Sequence, residues 1–233
     1  MSTMRQPLAF SGLKPLVFIS ILVLCRAGMA AEALAPEGFV GRTVCATCHE
    51  LQATRWAGSH HDLAMQPAND ETVLGDFNDA SVVQHGVKSS FFREDGRYMV
   101  RTEGADGKLA DFHITYTFGV VPLQQYLVEF PGGRLQALGL AWDTRPADEG
   151  GQRWFHLYPD EVIDYSDPLH WTGPYQNWNT RCAECHSTDV QKQYDARSRA
   201  FSTHFEEINV GCEACHGPGE QHLELAAAGK LAD

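Results

Sequence analysis

Six cysteines and three histidines fall into three copies of one pentapeptide: Cys45-Ala-Thr-Cys48-His49, Cys182-Ala-Glu-Cys185-His186 and Cys212-Glu-Ala-Cys215-His216. Two thiols separated by two residues can each form a thioether to one vinyl group of a haem. The histidine that follows then sets its imidazole under the iron as proximal ligand. Three copies use every cysteine except Cys25. The competing chemistries fit less of the pattern. A four-sulfur zinc site from Cys182, Cys185, Cys212 and Cys215 leaves Cys45 and Cys48 unused and three adjoining histidines unexplained. A redox dithiol needs one Cys-x-x-Cys on a βαβ frame, and disulfides across two-residue loops staple little. The expected cofactor is therefore haem c, covalently attached at three places.

Eight histidines remain outside the motifs: His60, His61, His85, His113, His156, His170, His204 and His222. Beyond the N-terminal segment the methionines are Met65 and Met99, so sixth ligands are expected to be histidine. Bis-histidine ligation lacks the potential-raising thioether of His/Met haems, and low potentials are expected. His85, His113 and His156 lie in a β-prone stretch where histidine needs no iron to explain it. His170 and His204 lie nearer the second and third motifs.

The N-terminus reads as an address. Residues 1–30 carry Arg5, Lys14 and Arg26 and no acid, and Leu16–Leu24 is an apolar run. Nine helical residues reach only about 14 Å, short of a bilayer core. Small residues follow at Gly28, Ala30, Ala31 and Ala33, so a secretory signal cleaved after Ala30 or Ala33 is expected, and with it a periplasmic location. An uncleaved anchor is the alternative, and membrane association is expected only through this segment. The 233-residue chain has 18 basic and 30 acidic residues and a formal charge of −12. That balance excludes a nucleic-acid binder, which shows a basic face. It predicts instead a redox partner protein with a basic docking patch.

The positioning elements follow from local texture. Residues 39–66 look helical, with Glu50–Ala57 rich in helix formers and Trp56 on the same face as His49. Residues 80–160 hold short β-prone runs punctuated by Asp95-Gly96 and Asp106-Gly107 as hairpin turns. Residues 165–181 bring Trp171, Tyr175 and Trp178, readable as a wall against a haem or as ordinary core. Glu220–Asp233 reads as another helix. The expectation is a mainly α and irregular multihaem cytochrome c fold with a small antiparallel β module inserted between the first and second motifs. Its segments are a signal peptide (1–30), a first haem-binding segment (31–79), the β-rich insert (80–165) and a second and third haem-binding segment (166–233).

Two resemblances add to this. The pattern Gly41-Arg42, Cys45–His49, Trp56, His61 and Ala64-Met65, followed by the second motif and by Gly211-Cys212-Glu213-Ala-Cys215-His216-Gly217-Pro218-Gly219 with His222, resembles the tetrahaem cytochromes that accept electrons from hydroxylamine oxidoreductase. The block with Tyr116-Thr-Phe-Gly119 and Pro122–Leu127 resembles multihaem cytochromes in which a haem domain precedes tetratricopeptide repeats. The resemblance implies that His222 is the distal ligand of the haem at Cys45 and Cys48. It also implies that His61 is a distal ligand to a fourth haem, for which this chain has no motif. A fragment, or a shortened relative, of a longer protein is expected. The implied function is single-electron transfer through three haems. The alternative is an oxidoreductase acting on a small nitrogen or sulfur compound at an open-coordinate haem, although no residue stands out as a catalytic acid or base.

Overall fold

A computed structural model describes residues 38–230; the expected signal peptide (1–30) and Cys25 lie outside the described residues. The described chain is mainly β, which corrects the expected mainly α architecture. Helices are single turns or little more: α1 (Arg42–Ala46), α2 (Glu50–Trp56), α3 (Trp178–Arg181), α4 (Ala183–His186), α5 (Glu213–His216) and α6 (Glu220–Ala227). The helix expected over 39–66 breaks after Trp56, where Ala57 turns extended and Gly58 takes a positive φ. The chain then enters a strand at Met65.

Nine strands make one antiparallel sheet: β1 (Met65–Pro67), β2 (Ala80–Gln84), β3 (Val87–Glu94), β4 (Arg97–Glu103), β5 (Leu109–Phe118), β6 (Leu123–Phe130), β7 (Arg134–Ala137), β8 (Leu140–Asp143) and β9 (Arg153–His156). The order is β2-β3-β4-β5-β6-β8-β9, with β1 on β5 and β7 on β6. Strands β2 and β9, at the two ends of that order, lie against each other, so the sheet curls into a nearly closed barrel. The hairpin turns form where the dipeptides predict them. Asp95 and Gly96 both take positive φ, the geometry that matches the twist of the flanking strands. His85 and Gly86 do the same between β2 and β3, which gives His85 a backbone role.

Aromatic side chains fill the barrel. Phe77 enters from the loop before β2 and meets Phe91, Tyr98, Tyr126 and Trp154 edge-on at 4.9–5.7 Å. Phe91 and Trp154 stack at 3.5 Å. The loop is pinned by polar groups: Gly75 N–H donates to the Tyr126 hydroxyl at 2.9 Å, and that hydroxyl donates to Gln124 at 2.7 Å. A side chain at Gly75 would strike Tyr126 and Trp154.

Strands β5, β6 and β7 have a second buried face. Tyr126 and Val128 point into the barrel, whereas Leu127 between them packs outward with Met65, Phe118, Ala137, Trp178 and Ala183. Period-two alternation thus gives one set of strands two cores, and the outer core seats α3 and α4. The aromatic stretch 165–181 divides accordingly. Trp171 packs edge-on to Phe112 in the barrel, Trp178 is fully buried in the outer core, and Tyr175 is exposed beneath the Arg181 guanidinium.

Truncating Trp154 to Ala should cost about 3–5 kcal/mol, the scale for removing a large buried aromatic, read as a drop in the thermal unfolding midpoint. A pH effect follows from His156 and His170, whose pKa values burial pushes below the ordinary histidine value of 6.5. Just below pH 6.5 the unfolded chain therefore binds more protons at these sites, and their contribution to stability falls as pH falls. Urea midpoints at pH 7.5 and 5.5 should differ less in His170→Phe than in the parent chain.

Candidate haem-attachment sites

The three pentapeptides take one local shape. In each, the N–H groups of the second cysteine and of the histidine point back to the carbonyl of the first cysteine, at 3.2 and 3.0 Å from Cys45, 3.1 and 3.2 Å from Cys182, and 3.2 and 3.1 Å from Cys212. One helical turn therefore brings both sulfurs and the imidazole to the same face. The first cysteines are half-buried and Cys48, Cys185 and Cys215 are exposed, all as free thiols. Burial pushes the Cys182 thiol pKa up, and burial together with neighbouring Cys212 and Glu213 does the same for Cys45. Cys45 and Cys212 thus lie side by side, which brings the first and third motifs together. Among the described residues no cluster of three or more His, Cys, Asp or Glu has metal-holding geometry, so the four-sulfur zinc arrangement is not formed.

The donor set fits haem. His186 places Nδ1 3.0 Å from the carbonyl oxygen of Ala64. A carbonyl only accepts, so Nδ1 carries the proton and Nε2 keeps its lone pair for a metal, the usual outer support of a ligating histidine. The Phe118 ring meets His186 edge-on at 5.3 Å. The His49 and His222 ring centroids are 6.1 Å apart with their planes tilted by 33°. Two imidazoles on opposite sides of one metal, each bound through nitrogen at about 2.0–2.1 Å, bring their centroids to roughly this separation.

A polar knot sets that approach. The Glu213 carboxylate, 4% exposed, accepts the N–H of Val40 at 2.9 and 3.1 Å, of Gly41 at 2.8 Å and of Gly219 at 2.8 Å. Gly41 caps α1, which carries Cys45, and Gly219 caps α6, which carries His222. Arg42 reaches Asn209 at 3.0 Å and lies over the Trp56 ring at 4.7 Å. Trp56 in turn donates to the Val210 carbonyl at 2.9 Å. Thr188, beside the second motif, donates to Asn209 O and accepts from Gly211 N, both at 2.8 Å. Asn209 and Thr188 carry no sequence signal for this role, and Arg42 shows only as part of the Gly41-Arg42 pair. The signal for Glu213 was its place inside the third motif.

The remaining expected residues are dispersed. His61 is exposed and its carbonyl accepts from Val210 N at 3.2 Å. His216 is exposed on the third turn, and His60, His113 and His204 are exposed elsewhere. Met65 is buried in the outer core, and Met99 is buried on β4. His156 and His170 line a cavity in the barrel.

Residues 44–85 and 168–217 match the family described as cytochrome c554 and c-prime. A comparison with curated proteins gives no match. The fold is similar to that of the solved outer cell wall cytochrome OcwA, with a TM-score of 0.50 and 19% identity over 84% of this chain. The chain spans 35% of that protein's length. The partial family match and the three Cys-x-x-Cys-His turns support a c-type cytochrome with covalently bound haem, and the likeness to the solved structure bears on the fold alone.

Proposed function

We propose that the chain is an exported multihaem cytochrome that carries single electrons through three covalently attached haems to or from a redox partner. The observation that carries this reading is the threefold repetition of one helical turn presenting two sulfurs and an imidazole. Cys45 and Cys48, Cys182 and Cys185, and Cys212 and Cys215 are the attachment pairs, with His49, His186 and His216 as proximal ligands. His222 faces His49 and would supply the second imidazole to the haem held at Cys45 and Cys48. His61 is a candidate ligand to an iron that none of the three motifs holds. Haem supplies one-electron iron chemistry when bound.

The chain's own residues orient and shield that chemistry. The Ala64 carbonyl fixes the tautomer of His186, and the Phe118 edge covers one side of its ring. Glu213 favours the spacing of His49 and His222 by holding the backbone at Gly41 and Gly219, where α1 and α6 begin. The side-by-side placement of Cys45 and Cys212 favours close first and third cofactors. The basic N-terminal start and short apolar run favour export to the periplasm. The formal charge of −12 favours a partner with a basic patch, whose association weakens as salt rises.

Protein matured with haem-attachment machinery should carry three haems by intact mass and pyridine haemochrome. A colourless product with free thiols or bound zinc would overturn the reading. His222→Ala should convert one low-spin haem to a high-spin form in electron paramagnetic resonance, while His60→Ala should leave the spectrum unchanged. Glu213→Gln should destabilise the chain by about 2–3 kcal/mol and loosen the same haem, because either orientation of the amide turns an N–H donor towards a backbone N–H.

A further inference from the structure

A cavity of about 200 Å³ opens into the barrel at a point where no lining residue belongs to a Cys-x-x-Cys-His motif. Its walls include Val87, Leu138, Leu140, Ile163 and Trp171. The chain from Leu157 to His170, which has no helix or strand, covers it and is tied down where Gln84 Nε2 donates to the Pro159 carbonyl at 2.6 Å. An apolar cavity of about 150 Å³ is enough to hold benzene, so this one has room for a single six-membered ring with small substituents.

The polar groups in the lining restrict the ligand further. His156 Nδ1 accepts from the Tyr158 N–H at 3.1 Å, so the neutral ring carries its proton on Nε2. That Nε2 sits over Gly139, where an added Cβ would lie 3.4 Å from it. His170 Nδ1 accepts from the Thr172 N–H at 3.4 Å and pairs with the Thr172 hydroxyl at 2.8 Å. Its Nε2–H therefore faces the half-buried Glu103 carboxylate, 3.6 Å away. Nitrogens that carry protons do not ligate a metal, so the tautomers argue against a cation held by these histidines. Glu103, Glu161 and Asp164 in the lining argue against an anion. Burial lowers the pKa of both imidazoles, which favours their neutral forms. The His156 Nε2–H and the Glu103 carboxylate together match a molecule with an apolar body, an acceptor for His156 and a donor for Glu103.

We propose that this cavity binds a small neutral aromatic ring bearing hydroxyl groups, of the dihydroxybenzene class. One oxygen accepts from His156 Nε2–H, another hydroxyl donates to Glu103, and the ring lies among the apolar walls. This site stands independently of the electron-transfer reading.

The test is calorimetric titration of the haem-loaded protein with hydroquinone under reducing conditions. One equivalent should bind. His156→Phe and Glu103→Leu should each weaken binding about tenfold, the size of one lost hydrogen bond. Gly139→Ala, which narrows the space over His156 without a left-handed backbone, should also weaken it while the haem spectrum stays unchanged. Absence of binding, insensitivity to all three substitutions, equal binding of toluene, or tighter binding of benzylamine would each overturn the proposal.

Discussion

The Glu213 carboxylate accepts backbone N–H groups from Val40, Gly41 and Gly219 at 2.8–3.1 Å while almost wholly shielded from solvent. Val40, 173 positions from Glu213 in the chain, is thereby held to the same pair of oxygens as Gly219. Closing so long a loop carries an entropy cost that grows only slowly with length, and several charge-assisted bonds to one acceptor group oppose it. The consequence is functional. The helix bearing Cys45 and the helix bearing His222 start from backbone groups bound to the same carboxylate, so the His49–His222 spacing is set by a residue whose own side chain touches neither ring.

The second motif is positioned by a different physical means. Strands β5, β6 and β7 bury both faces, and the outer one holds Trp178 and Ala183 against Met65, Phe118 and Leu127. Apolar packing thus seats the turn that carries Cys182 and His186, and the Ala64 carbonyl, just before β1, fixes the imidazole. Thr188 and Asn209 then join this turn to the third motif by hydrogen bonds. One curved sheet and one polar knot hold the three Cys-x-x-Cys-His turns together.

Some features were legible from residue order alone. The positive-φ turn at Asp95-Gly96 forms because few residue pairs suit that geometry, and the motif spacing implies one helical turn wherever it occurs. The balance of helix and strand was not legible in the same way. Helix formers around Glu50 suggested a long helix, yet Ala57 and Gly58 end it, and the chain goes on to pair Met65–Pro67 with Tyr116–Phe118. That pairing joins segments about fifty residues apart and leaves no local periodicity. Trp171 and Trp178 illustrate the same limit: each is as apolar as the other, and only the sheet's two faces assign them to different cores.

Residue order by itself determined the donor set of each pentapeptide, because two sulfurs and an imidazole within five residues need only a single turn to converge. It also determined the acidic balance and the short apolar start. Tertiary structure decided the 6.1 Å spacing of His49 and His222, that Cys45 lies beside Cys212, that Glu213 anchors two helices, and that His156 and His170 face a cavity. Those relations depend on strand pairing and burial between distant segments, and no local propensity encodes such contacts.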